Sequence, residues 1–411
     1  RYAPALPPRS DNLGPAVRTV SGLTLVSRIA GLARDLILVR IFGNTAVGSA
    51  FAAAFTIPNL FRRLFGEGAL SAAFLPEYAD ALESDEAPRF ASATLALLTG
   101  ATAAITVIIE LALLAVLVFA PGDETRSLSL RLIMITLPFM PLICATALLG
   151  GMLQTHGRFA PTAAAPVILN LFLIGTGIWH FAASSDAVTT AYVLAAAAVA
   201  SGVAQVAWSW KALPRGARPA RRNGAATPRL RRMLRRFVPV VLGLGTLQLN
   251  SLIDMLIAMW PNWVGLTVAG FDYPLATDSN AVLFFSQRLY QFPLGVFGVA
   301  IATAVFPLLA TTARRPDEFL GTLRRGVRLS LFIGLPASAG LALVHDDLVR
   351  VLFSGGSSGF DEGGAARAGA VLLAYSASIW AYSLNHVLTR AYYARGDTRT
   401  PTTIAISVVG L

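Results

Sequence analysis

The chain has 411 residues, 55% of them apolar and only 13% charged, with a net charge of +11 carried almost entirely by arginine. Soluble chains carry roughly 25% charged residues; one this long could not keep so much apolar surface from water, so lipid is its solvent, and disorder, collagen and coiled coil are excluded. A single cysteine, Cys144, rules out a disulfide framework or cysteine-rich zinc site, and His156, His180, His345 and His386 stand too far apart for metal-ligand spacing.

A helix needs about 20 apolar residues to cross a bilayer. The sequence predicts ten full spans, at 16–42, 46–79, 88–119, 127–154, 160–182, 187–210, 237–261, 279–310, 326–344 and 364–394. An eleventh begins near Pro401. The runs are too long, and too rich in Ala and Leu, for barrel strands of about 10 residues. The segment before the first span is short, Pro-rich and polar, without the pattern of a cleavable signal. The chain opens on Arg1 and stops inside the apolar run Ile404–Leu411, so a fragment lacking its last helices is expected.

Positive charge orients the spans. Residues 211–236 hold nine arginines and Lys211 with no acid, and residues 314–328 hold five more arginines. The alternate loops are poor in them: 262–279 has none, and 345–363 has only Arg350. The positive-inside rule makes 211–236 cytoplasmic. Six spans precede it, so the N-terminus is cytoplasmic too. Such a loop also attracts anionic lipid headgroups. It lacks the interleaved aromatics of a nucleic-acid site, so no nucleic-acid partner is expected.

The two sides of this loop resemble each other. Pro58 and Pro76 in the first half answer to Pro293 and Pro307 in the second, and Gly157-Arg158-Phe-Ala-Pro161 answers to Gly396-Asp397-Thr-Arg399-Thr-Pro401. Repeats of this kind are common in secondary transporters. The expected fold is an all-α polytopic membrane protein of two pseudo-symmetric six-helix lobes, the second truncated. Its parts are an N-terminal lobe 1–213, a basic cytoplasmic linker 214–236 and a C-terminal lobe 237–411.

Several spans carry charges that lipid would not tolerate. At about 100° per residue, Thr24, Ser27, Arg28, Gly31, Arg34 and Asp35 fall within an arc of about 120°, and Leu25, Ile29, Leu32 and Leu36 lie outside it. Each charge at the bilayer centre costs roughly 2.5–3.5 kcal/mol on insertion scales, so it needs a wet cavity, a partner or a ligand. Arg34 and Asp35 diverge by about 100° and need not pair with each other. The second span adds Asn59, Arg62, Arg63 and Glu67; Arg63 is a candidate for snorkelling at the membrane edge. The seventh adds Gln248, Asn250 and Asp254, and the eighth adds Gln287, Arg288 and Gln291. Asp254 is either a proton or cation site or the partner of an arginine. Inward-facing arginines (Arg28, Arg34, Arg62, Arg288) outnumber the acids Asp35 and Asp254. A positive cavity suits an anion, and the guanidinium fork matches phosphate oxygens.

Ser27-Arg28-x-x-Gly31-x-x-Arg34-Asp35, followed by Arg40-Ile-Phe-Gly43, resembles the opening of the MurJ/MviN lipid II flippase family. So does Ile57-Pro58-Asn59-Leu-Phe-Arg62-Arg63-Leu-Phe-Gly66-Glu67-Gly68-Ala-Leu-Ser71-Ala-Ala-Phe74. Arg288-Leu-Tyr-Gln-Phe-Pro293-Leu-Gly-Val-Phe-Gly298 and Gly396-Asp397-Thr398-Arg399-Thr400-Pro401 fit the same family, and the resemblance covers residues 12 to 411.

The resemblance implies a fourteen-helix, non-enzymatic transporter of the multidrug/oligosaccharidyl-lipid/polysaccharide exporter superfamily. It would reside in the bacterial cell (inner) membrane and flip lipid II, the undecaprenyl-pyrophosphate-linked peptidoglycan precursor, by alternating access. Arg28, Arg62 and Arg288 would face the pyrophosphate. Asn59 and Gln287, next to these arginines, join Arg34, Asp35 and Glu67 as candidate supports of cavity and gate. No cofactor is expected, and sodium or proton coupling stays open. A cation site would use Asp254, Asn385 and Thr389, although an acid is expected where Thr389 stands. Ser49 and Thr56 replace an expected acid and lysine. Membrane lipids and cell-wall synthesis proteins are the other expected partners. The alternatives are an exporter of another polyprenyl-linked glycan and a non-transporting scaffold of the cell-wall machinery.

Overall fold

The computed structural model describes residues 13–64, 70–219, 227–355, 359–397 and 399–409. Among them the chain is almost wholly helical, with fifteen α-helices and one two-residue-stranded hairpin, so it is all-α. It divides into two compact units: residues 1–37 with 50–273, and residues 38–49 with 274–411.

The first unit holds most of α1 (Leu13–Phe42) and α2 (Ala46–Leu64), then α3 (Leu70–Glu83), α4 (Ala87–Phe119), α5 (Glu124–Thr136), α6 (Phe139–Thr155), α7 (Ala160–Ala183), α8 (Ala187–Ala212) and α9 (Thr227–Trp263). Predicted spans with uninterrupted apolar runs match their helices closely, as in α4, α7 and α8. The Asp186 carboxylate starts α8 by accepting from the Thr189 N–H at 2.9 Å. Other spans are interrupted. The predicted 46–79 holds α2 and α3, with residues 65–69 outside the described residues, and 127–154 is α5 and α6 joined at Leu137-Pro138.

Lipid-facing logic is plainest on α4. Its buried stripe includes Thr94, Thr102 and Thr106, whereas Ile105, Val107, Ile108, Leu111, Leu114 and Val118 are exposed. That inverts the pattern of a water-soluble helix, as a bilayer solvent requires. Among the described residues, five helical stretches are long and apolar enough to cross a membrane by length and composition: α4, α5–α6 together, α7, α8 and α12 (Pro316–Phe353).

The first unit's core joins α3, α4, α6 and the start of α9. Phe74 stacks on Phe90 with ring centroids 5.5 Å apart and on Tyr78 at 5.2 Å, with Cys144, Leu148, Met152, Met233 and Phe237 around them. Gly202 admits the Phe139 ring, which a Cβ there would meet at 2.7 Å. Burial depresses the basicity of His156, and nearby Arg158 adds to it; its Nε2 lies 3.3 Å from the Tyr78 hydroxyl.

The basic segment is not all loop. α9 begins at Thr227, ten residues before the predicted span, so Arg229, Arg231, Arg232, Arg235 and Arg236 ride on helix. Their register is set by acids distant in sequence. Arg229 pairs with Glu86 at 2.6 Å, and Arg232 and Arg236 lie 3.7 and 3.4 Å from Glu77, whose side chain is only 2% exposed. After α9, Ala269 and Gly270 both take positive φ, +49° and +87°, and close the hairpin pairing Thr267 with Asp272.

The second unit contains α10 (Ser279–Pro293), a π-turn at Leu294–Gly298, α11 (Val299–Thr312), α12, α13 (Glu362–Ser376), α14 (Ile379–Ala394) and α15 (Arg399–Val409). Ile301, Val305 and Leu309 of α11 pack with Phe319 of α12 and with Val387 and Ala391 of α14. The predicted 279–310 span is interrupted by the π-turn after Pro293, and 364–394 is interrupted at Ala377-Ser378. Gly298 lets α14 approach, because a Cβ there would meet the Ser383 hydroxyl at 2.7 Å.

Candidate substrate site

In the first unit, α1 turns its apolar side outward. Leu25 and Ile29 are 61% and 62% exposed, whereas Asp35 is 7% exposed. The polar stripe packs at Ser27, Gly31, Arg34 and Asp35, while Thr24 and Arg28 on it are exposed. Arg34 and Asp35, which the helical angle left free to pair or not, do pair: Arg34 Nε and Nη2 donate to Asp35 Oδ1 at 3.0 and 2.6 Å. The long, forked arginine side chain bridges the divergence of its Cα–Cβ vector. Arg34 Nη1 also donates to Asn170 Oδ1 on α7 at 2.8 Å, and Asn170 Nδ2 donates to the Ser27 carbonyl at 3.1 Å. Arg28, one residue beyond Ser27, is exposed and has no hydrogen bond or ion pair among the described residues.

Arg62 is half-buried on α2, and its Nε donates to Asn59 Oδ1 at 2.9 Å, one turn back. Both line a small pocket walled by Phe55, Phe139, Ile143 and Leu169. Pro58 shapes this wall. It cannot donate to the Ala54 carbonyl, and the Thr136 hydroxyl reaches that oxygen at 3.0 Å, with two carbonyls of its own helix equally near. Glu67 lies outside the described residues. Asp254, on α9, is half-buried and has no hydrogen bond or ion pair among the described residues, so the arginine-partner alternative finds no arginine there.

In the second unit, Arg288 is half-buried on α10 with its guanidinium 4.5 Å from the Phe284 ring centroid and Nη1 3.5 Å from Gln291 Oε1. Gln287 donates to the Tyr375 hydroxyl on α13 at 3.0 Å, and Tyr375 stacks on Tyr290 at 4.4 Å. Asn385 and Thr389 share one face of α14, 3.5 Å apart. Among the described residues no three His, Cys, Asp or Glu side chains cluster as metal ligands.

Two features escaped the sequence reading. Asn170 is a lone amide in an apolar helix, and its isolation was the available signal. A second cluster gathers at the start of α10 and α13. Asn44 Nδ2 donates to Asp278 at 3.0 Å and to Asp361 at 3.1 Å, Asn44 Oδ1 accepts from the Asp361 N–H at 2.9 Å, and Arg367 pairs with Asp278. Ser49 seals the same region: its hydroxyl accepts from the Ala281 N–H at 3.0 Å and its carbonyl accepts from Asn280 at 2.8 Å. Thr56 donates to the Ala52 carbonyl at 2.9 Å within its own helix.

Apolar spans with outward-facing hydrophobes are those of an all-α, multi-pass membrane protein. Residues 38–411 match the family model described as "Lipid II flippase MurJ". A probable lipid II flippase MurJ of Rhizobium tropici is 34% identical over 405 residues, covering 95% of this chain and 73% of the relative. One from Vibrio cholerae is 32% identical, covering 93% and 73%. The chain belongs to this family, which is one of flippases rather than enzymes. Among solved structures, the fold is similar to a lipid II flippase MurJ in an inward closed conformation (TM-score 0.73, 21% identity, 95% of this chain and 78% of that one). It is also similar to an inward-facing multidrug resistance MATE family transporter (TM-score 0.69, 14% identity, 96% and 88%).

Proposed function

We propose that this protein flips lipid II from the cytoplasmic to the outer leaflet of the bacterial cell membrane, with its N-terminus in the cytoplasm. The observation that carries the reading is the alignment of relatives named as lipid II flippases over more than nine-tenths of the chain. Arg28, Arg62 and Arg288 bind the pyrophosphate in this account, as the lobes alternate access. Arg28 is suited to that task because no acid among the described residues neutralises it. Asp35 is committed to Arg34 and so does not cancel Arg28. Asn59 and Gln287 orient the neighbouring arginines, and Arg34 and Asp35 hold the helix that bears Arg28. Glu67 supports the gate. Asp254, Asn385 and Thr389 remain the candidates for cation coupling by sodium or protons. Cell-wall synthesis proteins are further partners.

The test is complementation. The full protein is expressed in cells depleted of their own flippase, and lipid II exposed on the outer leaflet is measured. Restored exposure with wild type and none with Arg28→Ala is expected, while Arg63→Ala is milder. Equal tolerance of both substitutions would remove the arginine assignment.

A further inference from the structure

The arginine-rich end of α9 has two faces. Arg229, Arg232 and Arg236 turn toward Glu86 and Glu77 and are largely neutralised there. Arg231 and Arg235 fall on the other face, are exposed, and have no acidic partner among the described residues. Further along, this stripe turns apolar, and Val238, Leu249, Ile253 and Leu256 on it are all exposed. Steps of three and four residues keep such positions on one side of a helix. From Val238 to Ile257 the helix rises about 28 Å at about 1.5 Å per residue, close to the hydrocarbon thickness of about 30 Å. Trp260 and Trp263 follow at the far end, and tryptophan favours the membrane–water boundary. The stripe thus matches the hydrocarbon thickness in length, with Arg231 and Arg235 one to two turns before it.

A second observation falls on the same rim. The turn after α8 packs against these turns of α9, where Leu213 and Ala217 share a core cluster with Met233 and Phe237. It carries Arg215, which is exposed, and Arg218, whose Nε is buried with no hydrogen-bond partner among the described residues, so positive charge gathers on this rim.

We propose that Arg231 and Arg235 bind the phosphate of a resident anionic phospholipid of phosphatidylglycerol type, distinct from the cargo. The guanidinium forks match the phosphodiester oxygens. The neighbouring arginines, already paired with acids, position the helix, and the lipid's chains lie along the Val238–Leu256 stripe. This site rests on the surface of the first unit alone and stands whether or not lipid II is the cargo.

Native mass spectrometry tests it, using the full protein released from nanodiscs of phosphatidylcholine doped with phosphatidylglycerol. Wild type should retain phosphatidylglycerol in preference to phosphatidylcholine. Arg231→Gln with Arg235→Gln should cut that retention roughly 10–30-fold, given the attraction of each basic side chain to an anionic surface. Arg231→Lys with Arg235→Lys should restore part of it, and Arg350→Gln should leave it unchanged. Undiminished retention by the glutamine pair, equal retention of phosphatidylcholine, or displacement by added lipid II would overturn the proposal. So would a loss of melting temperature by the glutamine pair in phosphatidylcholine alone, which would make these arginines part of the fold.

Discussion

Asn170 ties Arg34 to the turn of α1 that carries Arg28: it accepts from Arg34 at 2.8 Å and donates to the Ser27 carbonyl at 3.1 Å. One side chain on α7 thus contacts α1 at two positions of a single face, Ser27 and Arg34. Asn170 is 4% exposed, so its bonds are made away from water. Asn170→Ala removes both. Interhelical polar contacts in membranes are worth about 0.6 kcal/mol on average and up to about 1.7, and orphaning the Arg34 donor adds to that. The expected outcome is a lowered melting temperature in detergent together with weaker flipping. Asn170→Asp should recover part of the stability through Arg34. An unchanged melting curve for the alanine variant would show that α1 does not depend on this contact.

Glu77 is a carboxylate 1% exposed whose compensation comes from Arg232 and Arg236. The partners are unequal. Both arginines are more than half exposed and can be hydrated if Glu77 is neutralised, whereas a buried Glu77 cannot be hydrated if they are lost. Arg232→Gln with Arg236→Gln should cost about 3–5 kcal/mol, the usual penalty for stranding a buried charge. Glu77→Gln should cost less. Denaturant or thermal unfolding of the two variants decides the order, and the reverse ranking would contradict it.

Asp361 starts α13, accepting from the Gly364 N–H at 2.6 Å and from Asn44 at 3.1 Å. The backbone bond from Gly364 chiefly, and then the Asn44 amide, hold its carboxyl below the usual carboxylate range. A carboxyl more acidic in the folded state stabilises that state above its unfolded pKa, and this contribution fades as pH falls through the folded value. Asp361→Asn should therefore melt below wild type at pH 7, and the gap should close as the pH drops below about 4. A gap that is constant down to pH 3 would mean that charge plays no part in this cap.

Ser49 stands where the family resemblance led to an acid, and its place explains what the hydroxyl does. It is fully buried and satisfies a first-turn N–H of α10, a donor with no partner in its own helix. Ser49→Ala should cost about 0.5–2 kcal/mol, as losses of N-terminal caps do. Thermal unfolding measures it, and a neutral result would mean that the Ala281 N–H finds another acceptor.

The fold was legible where one residue pattern decided it. The limits of α4, α7 and α8 follow from unbroken apolar runs closed by Pro121-Gly122 or opened by Asp186. The break between α13 and α14 was not legible, because Ala377-Ser378 offers no proline or glycine. The start of α9 was hidden for another reason: five arginines look like a solvated loop until Glu77 and Glu86 are brought to them by tertiary packing. At the site, the polar stripe of α1 could be drawn from helical angles alone. The Arg34–Asp35 pair could not, because Cα–Cβ directions do not limit a side chain that long. Asn170 escaped because only the fold sets α7 against α1.

The central claim is that arginines, Arg28 foremost, capture the pyrophosphate of lipid II for transfer between leaflets. The most direct measurement places the full protein in vesicles carrying lipid II or its monophosphate-linked analogue and follows arrival of the head group on the opposite leaflet. The account predicts rapid transfer of lipid II, slow transfer of the analogue, and transfer of neither by Arg28→Ala. Equal transfer of both lipids, or normal transfer of lipid II by Arg28→Ala, would contradict it.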